Sequence, residues 1–182
     1  MTEDGYNKFT GFSNLPYNII SNLILNDEEI WKLLNFPTND ALAQPNLTLA
    51  QKGALIYKGQ EDSTLFRVFT TPFVDDAFEA RQTHLHIYPV KVYPENYVMG
   101  VVDFAIDIIC HNKIAILSNA SNRLDVMFEH IMKALNGSDI ESVGTLYFNA
   151  DRQHSGSVSK LMRVNNFYTG YRIIMSVNYA NS

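Results

Sequence analysis

The apolar residues in the first third of the chain recur at the spacing of α-helices. A first helix is indicated by the stripe of Ile19, Ile20, Leu23 and Ile24. Asn26 followed by Glu29 resembles a capping box, in which both side chains bond the amides that begin a helix, and predicts a second helix. That helix should end before Pro37, because the residue preceding a proline avoids the helical conformation. Thr48 with Gln51 repeats the start signal and predicts a third short helix.

From about residue 61 onward, apolar and polar residues alternate as they do in β-strands. The alternation predicts strands at Leu65–Phe69, His84–Tyr93, Val98–His111, Val143–Phe148 and Tyr168–Tyr179. Pro89 lies inside the second of these and cannot donate a ladder hydrogen bond, so we expect an edge position or a bulge there. The polar stretch Asp151–Lys160, between the last two strands, is expected to form a mobile loop.

One amphipathic helix interrupts the strands. Between Asn122 and Asn136 the apolar residues form a single stripe with the period of an α-helix, made of Leu124, Met127, Phe128, Ile131, Met132 and Leu135. Ser121 is the expected cap at its start. Gly137 suits the left-handed residue that commonly follows the end of a helix.

These elements predict the fold class. Antiparallel strands with one main amphipathic helix packed on a face, preceded by short helices, make an α+β fold. We expect an N-terminal helical segment over residues 1–60 and an α+β sandwich domain over residues 61–182. The two are expected to form one compact unit.

The predicted strand Val98–His111 has two chemically different faces. One face is apolar and consists of Val98, Val102, Phe104, Ile106, Ile108 and Cys110. The other face consists of Asp103, Ala105, Asp107 and His111. We expect the first face to lie in the core and the second to be solvated, as antiparallel sheets allow.

Composition excludes several classes of protein. Of the 182 residues, 46% are hydrophobic and 18% are charged, which is too apolar for a disordered chain. The single cysteine, Cys110, allows neither an internal disulfide nor a four-cysteine zinc site, and it favours a reducing compartment. The formal net charge of −5 argues against a dedicated nucleic-acid binder. The 10 tyrosines and 11 phenylalanines indicate more apolar surface than a monomer of this size easily buries.

No membrane partner is expected. The first residues are polar and lack the charged-then-apolar layout of a signal peptide. The longest apolar stretch, Val98–Cys110, is interrupted by Asp103 and Asp107 and falls short of the roughly 20 apolar residues that span a bilayer. The sequence therefore predicts a soluble protein.

A metal site is one candidate chemistry. His84 and His86 are two residues apart on a predicted strand, so both imidazoles point to the same face. Asp103, Asp107 and His111 share the polar face of the next strand, and the five residues together support an alternative interpretation as a metal-dependent hydrolase. The competing interpretation is that alternation alone places polar residues there, since no HExxH, paired-cysteine or calcium-loop motif accompanies them. We favour this competing interpretation and expect no metal, cofactor or catalytic residue.

Nucleophilic catalysis has weaker support. Cys110 lies on the apolar face of its strand, where a thiol is usually an inert hydrophobe. Asp151, His154 and Ser155 are close in sequence, but adjacency does not make a triad and no GxSxG motif is present. No glycine motif for phosphate or dinucleotide binding occurs either. We therefore expect that the protein is not an enzyme.

Basic and aromatic residues also occur together near the end of the chain. The set, which would suit stacking on a single nucleic-acid strand, consists of Lys160, Arg163, Phe167, Tyr168, Tyr171 and Arg172. We favour instead an ordinary sheet with an aromatic core and exposed basic ends. The carboxylates of Asp103 and Asp107 would repel phosphate, which suits a channel through which DNA slides without binding.

Five sequence blocks carry a resemblance to a known family. In chain order they are IISNLILNDEEIWKLLNFPTND, HLHIYPVKVYPENYVMGVVDFAIDIICHN, RLDVMFEHIMKALNG, VGTLYFN and GYRIIMSVNY. A leading helical segment, a hairpin of long strands, one amphipathic helix and two closing strands are similar to the tail-terminator and neck (head–tail connector) proteins of tailed bacteriophages. The resemblance covers most of residues 15–179 and rests on element order and hydrophobicity, so no functional residue is carried over. The segment between Leu42 and Thr83 is longer than the simplest members need.

The resemblance implies a virion structural protein. Such a protein forms a homo-oligomeric ring, a hexamer in a tail terminator or a dodecamer in another connector ring such as a head–tail adaptor or stopper. The ring assembles in the host cytoplasm, resides in the tail or neck of the virion, and contacts the tail tube protein and neck or adaptor proteins. Viral DNA passes through its lumen. The loop Asp151–Lys160 is expected to become ordered at an interface or to line that channel.

Overall fold

A computed structural model describes residues 12–60, 62–72, 80–94, 99–140, 144–148, 158–161 and 166–180. Within these ranges the α-helices are α1 (Leu15–Asn26), α2 (Glu28–Asn35), α3 (Leu49–Ala54) and α4 (Arg123–Leu135). Short 3₁₀ helices occur at Phe12–Asn14, Ala41–Ala43, Ser63–Leu65 and Asn112–Ile114. The strands are β1 (Val68–Phe69), β2 (Thr83–Pro94), β3 (Met99–His111), β4 (Asp139–Ile140), β5 (Gly144–Tyr147), β6 (Val158–Leu161) and β7 (Tyr168–Ala180). The chain has the α+β fold that the sequence predicts.

The first two helices are separated by a single residue, one position later than expected. Asp27, rather than Asn26, caps α2, because its Oδ1 accepts a hydrogen bond of 3.0 Å from the Ile30 amide. Asn26 is the last residue of α1 and donates its side-chain amide to the carbonyl of Asn22. The sequence offers two adjacent residues able to cap, and only the path of the chain out of α1 decides between them. The predicted end before Pro37 is confirmed.

The start signal of α3 is confirmed, whereas that of α4 moves by one residue. Thr48 and Gln51 form the predicted capping box. Asn122, rather than Ser121, caps α4 by accepting a hydrogen bond of 2.9 Å from a backbone amide of its first turn. Gly137 follows the helix with a φ of 76°, the left-handed conformation predicted for it.

Three long antiparallel strands form the centre of the sheet. In the described residues the strand order is β1-β2-β3-β7-β5-β4, and β6 pairs with β7 beside β5. Strand β1 is parallel to β2, and every other pair is antiparallel. The register between β2 and β3 shifts between Pro89 and Lys91, so the predicted bulge is present. This shift follows from the missing amide proton of the proline.

Helices α1, α2 and α4 pack on one face of the sheet and make the hydrophobic core. The predicted apolar face of β3 is buried there, with no exposed area on Val102, Phe104, Ile106, Ile108 and Cys110. Trp31 of α2 is also fully buried, and its indole N–H donates to the Leu23 carbonyl of α1 at 3.1 Å. Each such side chain contributes about 1.5–3 kcal/mol when it leaves water. Val98, which was expected on the same face, lies outside the described residues.

The opposite face of the sheet, here called the outer face, is buried as well, so the expectation of a solvated face is wrong. On β3 the exposed fractions are 8% for Asp103, 0% for Ala105, 2% for Asp107 and 8% for His111. The alternation of the sequence correctly separates two faces of different polarity. It does not report that polar side chains of neighbouring strands satisfy one another and that further parts of the chain cover them.

The shortest strands differ most from the predicted boundaries. Of the predicted strand Leu65–Phe69, only the last two residues form β1. Leu65, its predicted first residue, is instead the last residue of a 3₁₀ helix. Strand β4 was not predicted, because two residues cannot show an alternation. The predicted loop Asp151–Lys160 ends in a strand, since β6 pairs with β7. Residues 151–157 of that loop lie outside the described residues.

Candidate functional site

The register of the three central strands surrounds the carboxylate of Asp107, on the outer face, with partners from both neighbouring strands. Asp107 lies opposite His86 of β2 and opposite Arg172 of β7. The guanidinium of Arg172 donates to both carboxylate oxygens of Asp107, at 2.7 Å from Nε and 2.8 Å from Nη2. The hydroxyl of Tyr88 donates to the same carboxylate at 2.8 Å and accepts from Arg172 Nη2 at 2.7 Å. Asp107, Tyr88 and Arg172 therefore form a closed three-residue network.

The electrostatics of this network keep Arg172 charged and the Tyr88 hydroxyl protonated. Its hydrogen bonds to Asp107 raise the pKa of Arg172, which therefore stays charged. Burial, together with the neighbouring Asp107 carboxylate, raises the pKa of the Tyr88 hydroxyl. Because both oxygens of Asp107 accept hydrogen bonds, the carboxylate is engaged as an acceptor and is held in place. The arrangement is chemically suited to locking three strands together.

Asp103 is held in a similar way further along the sheet. It lies opposite Lys91 of β2 and Ser176 of β7, and the Ser176 hydroxyl donates to its carboxylate at 2.7 Å. Only 8% of Asp103 is exposed. The two carboxylates predicted to repel phosphate, those of Asp103 and Asp107, are therefore both largely buried and hydrogen-bonded. The expectation that they form a solvent-facing surface that repels DNA is wrong.

The two predicted metal-site histidines of β2 lie in a stack of rings. Phe69 of β1 stacks on His86 with ring centroids 4.8 Å apart and on His84 at 5.9 Å. The His86 Nδ1 atom lies 3.0 Å from the carbonyl oxygen of Thr71. Burial lowers the pKa of both imidazoles, and that of His84 is lowered further by the neighbouring His86 and Arg67. The structure thus favours the neutral form of these side chains.

The third predicted histidine, His111, lies at the far end of β3. Its ring stacks on Phe167 with centroids 6.2 Å apart and meets the ring of Tyr168 edge-on at 5.0 Å. Its Nδ1 accepts a hydrogen bond of 3.1 Å from the amide of Lys113. Burial lowers its pKa, and so do the nearby Arg81 and Lys113.

The structure brings only part of the hypothetical metal cluster together. His86 and Asp107 are direct cross-strand neighbours, whereas His84 lies opposite Ile109. In the described part of the chain, no three histidine, cysteine, aspartate or glutamate side chains are placed to hold one metal ion.

The other candidate residues are either buried or hydrogen-bonded within the fold, or have side chains that lie outside the described residues. Cys110 is buried on the core face, and burial raises the pKa of its thiol to about 11. In the basic and aromatic set, Arg172 is engaged by Asp107, Tyr168 is 1% exposed and the Tyr171 hydroxyl donates to Asp125 of α4 at 2.5 Å. The side chains of Lys160, Arg163, Asp151, His154 and Ser155 lie outside the described residues.

Sequence reasoning missed Arg123, the first residue of α4. Its side chain has no exposed area, and its guanidinium donates to four backbone carbonyls, those of Leu33, Phe36, Thr38 and Ile114, at 2.6–3.1 Å. Leu33 and Phe36 lie at the C-terminal end of α2, where unpaired carbonyls carry partial negative charge. An arginine opening an amphipathic helix looks like a solvent-facing residue, and no local pattern marks its distant partners.

Sequence reasoning also missed His130, on the exposed side of the α4 stripe. Its Nδ1 lies 2.6 Å from a carboxylate oxygen of Asp27, and its Nε2 lies 2.6 Å from one of Glu29. Each ring nitrogen of His130 thus contacts one carboxylate at the start of α2. Arg123 and His130 therefore join α4 to the two ends of α2.

The end of β2 is one of the places where apolar side chains are exposed, and it is the one on a long strand of the sheet. Leu85 and Ile87 point toward the helices and are fully buried. Val92 pairs with the buried Val102 and so points toward the same face, yet it is 40% exposed, and Val90 is 44% exposed. The helices thus cover the first half of β2 and stop short of the second.

The chain matches a known protein family. A family model described as YomW matches residues 27–177. The name is of the kind given to phage-derived proteins, which agrees with a phage protein and does not specify a tail terminator. No curated protein sequence matches the chain. Among the described residues, no helix combines the length and the apolarity needed to cross a membrane.

Proposed function

Since the chain belongs to the YomW family, a family with a phage-type name, we propose that it is a virion structural protein of a tailed phage. It forms a homo-oligomeric ring at the junction of head and tail. In its favoured role it is the tail terminator, which caps the tail tube and joins it to the neck while viral DNA passes through the lumen. It acts in the virion, after assembly in the host cytoplasm, and carries out no catalysis.

The observation that carries this proposal is the uncovered end of β2, defined as Val90–Tyr93. Two valines are 40–44% exposed there on a long, ordered strand. Exposed apolar surface on a regular element commonly marks a contact with another protein. Heterologous contacts between identical chains close into rings when the rotation that relates the copies closes.

The outer face supports the same conclusion. The strands that carry the uncovered end are fixed to one another by the network of Tyr88, Asp107 and Arg172. A ring that bears the load of a filled head on a tail needs rigid protomers more than an open cleft. The polar residues of this face contribute to that rigidity, since Asp103 and Asp107 both accept hydrogen bonds from the neighbouring strand β7.

Repulsion of DNA in the lumen depends on other residues. Asp107 is neutralised by Arg172, so it contributes little field to a channel. The remaining source is the overall excess of 19 acidic over 14 basic side chains. A net negative ring repels phosphate and lets DNA slide.

The test is the mass and shape of the purified full-length chain. Light scattering at increasing protein concentration, followed by negative-stain imaging, should give a closed ring with a central channel. A hexamer supports the tail terminator, and a dodecamer supports another connector ring. A monomer at every concentration, which also fails to bind isolated tail tubes, would contradict the proposal.

A second experiment separates the terminator from an adaptor or stopper. Inactivating the gene in the phage that carries it should give tails of abnormal length that do not join heads. Tails of normal length that fail only to join would assign the ring to the adaptor or stopper position. Normal infectious particles would contradict a role in the virion.

A further inference from the structure

We propose that one end of the sheet binds a single nucleic-acid strand through the ring of Phe167 and the side chains of Arg81 and Lys113. These three residues are here called the end patch. The inference goes beyond the proposed function, in which viral DNA passes the ring without being held. It rests on an exposed aromatic ring, two exposed cations and the hydrogen bonds that hold their segments together.

The end patch lies where the three central strands share an end. Strand β2 begins shortly after Arg81, β3 ends shortly before Lys113, and β7 begins directly after Phe167. In the sheet the last residue of β3 pairs with the first residue of β7, and the residue before it pairs with the first residue of β2. The three segments are therefore neighbours in space although they are far apart in the chain.

Hydrogen bonds join these segments to one another. The amide of His111 donates to the carbonyl of Gln82 at 3.0 Å, and the amide of Asn112 donates to the carbonyl of Phe167 at 2.8 Å. The side-chain carbonyl of Asn112 also accepts a hydrogen bond of 3.1 Å from the Thr169 hydroxyl. The backbone that carries the end patch is thus held in place before a ligand arrives, which lowers the entropic cost of binding.

Phe167 supplies a flat apolar surface. Its ring lies parallel to the imidazole of His111, with an angle of 3° between the planes and centroids 6.2 Å apart. Phe167 is nonetheless 62% exposed, whereas His111 is 8% exposed. The histidine ring therefore packs against the phenylalanine ring, helps to fix its orientation and leaves much of it accessible. Accessible aromatic rings of this kind stack on unpaired bases.

Two cations lie beside this ring. Arg81 and Lys113 are exposed, and both charges lower the pKa of His111, which is the residue that Phe167 stacks on. Within the residues that the structure describes, neither cation forms an ion pair with a carboxylate. Phosphates and bases of a nucleic-acid strand match these cations and this ring together. An acidic protein segment would match the cations alone.

The net charge of −5 does not prevent binding at this place. Exposed charges are screened over about 10 Å at 0.1 M salt, so the charges close to the ligand decide. Of the basic and aromatic set near the end of the chain, Tyr168 is buried and Arg172 is engaged by Asp107, whereas Phe167 stays exposed. The cations beside Phe167 come from other segments of the chain, which the sequence alone does not bring together.

The test is the binding of a short fluorescent oligothymidylate to the full-length chain, measured by fluorescence anisotropy at several salt concentrations. Phe167→Ala should weaken binding about tenfold, because it removes the stacking surface. Arg81→Gln and Lys113→Gln should each weaken binding and each reduce the slope of log K against log salt by about 0.7. Leu25→Ala and Lys133→Gln, which change an exposed apolar and an exposed basic residue on the helices, are the matched controls and should leave binding unchanged.

Each outcome decides the proposal. Equal affinity of the wild type and Phe167→Ala, or no binding by the wild type at low salt, overturns it. Duplex DNA that binds as tightly as the single strand also overturns it, because paired bases cannot stack on the ring. Polyglutamate that competes with the oligonucleotide and binds Phe167→Ala equally well would assign the end patch to an acidic protein segment and overturn the inference.

Light scattering of the same samples separates this inference from the proposed function. A ring that persists without binding the oligonucleotide overturns the inference alone. A monomer that binds the oligonucleotide through the end patch supports the inference and counts against the proposed ring.

Discussion

Arg172 and Asp107 face each other across β7 and β3, and the guanidinium holds both oxygens of the carboxylate at 2.7 and 2.8 Å. The carboxylate is buried, whereas 40% of the arginine side chain is exposed. The pair is therefore asymmetric. Loss of the arginine leaves a buried negative charge without its cationic partner. Loss of the charge on Asp107 leaves an arginine that can reach water.

We expect this asymmetry to appear in stability. Arg172→Met should lower the free energy of unfolding by roughly 2 kcal/mol, less than a fully buried pair because water screens the arginine. Asp107→Asn should cost about half as much, and the double variant should cost less than the sum of the two. Urea titration measures all three, with Lys58→Met as the control that removes an exposed positive charge. Equal losses for both single variants would show that the asymmetry is absent.

A second prediction concerns the buried guanidinium of Arg123. Arg123→Met removes the donors to four carbonyls and leaves two of them, those of Leu33 and Ile114, buried without a donor, which should cost roughly 3 kcal/mol. Arg123→Lys keeps the charge but lacks the planar fork, so an intermediate loss is expected. Urea unfolding of both variants, compared with Lys133→Met on the exposed side of α4, measures the effect. Losses below about 1 kcal/mol in both would mean that the carbonyls find water.

The sequence predicts elements that are long enough to show a period. The stripe of α4 extends over almost four turns and the alternation of β3 over 13 residues, and both are placed within one or two positions. Strand β4 has two residues and β6 has four, with polar residues in both, so neither contains a readable period. They form only by pairing with the next strand along the chain, β4 with β5 and β6 with β7.

The candidate site was predicted less well, for a reason that Asp107 illustrates. Alternation placed its side chain on the polar face correctly, but its burial comes from Arg172 and Tyr88, which are 65 and 19 residues away in the chain. The sequence of β3 contains no information about either partner. The same holds for Arg123, whose carbonyl partners in α2 and after it lie 85–90 residues away.

The buried histidines should make stability depend on pH. Burial lowers the pKa of His84 and His86 in the folded chain below the ordinary value of 6.5 that the unfolded chain retains. The unfolded chain therefore binds more protons, and stability is full above pH 6.5 and decreases as the pH falls below it. Each such histidine removes up to about 1.4 kcal/mol per pH unit in that range. Urea unfolding between pH 7.5 and 5 should show the decrease, and His84→Gln should flatten it. A slope unchanged in that variant would contradict the assignment.

The last prediction compares two glycines with opposite surroundings. Gly170 lies in β7, where an added Cβ would approach the backbone carbonyl oxygen of Ile108 to 2.4 Å, so the strands must separate to admit it. Gly170→Ala should therefore destabilise the chain by more than roughly 2 kcal/mol, as overpacking does in cores. Gly53 in α3 has open space around the same position, and Gly53→Ala should stabilise the helix by up to about 1 kcal/mol. Thermal unfolding followed by circular dichroism measures both, and equal melting temperatures for the two variants would contradict the close approach of β7 to β3.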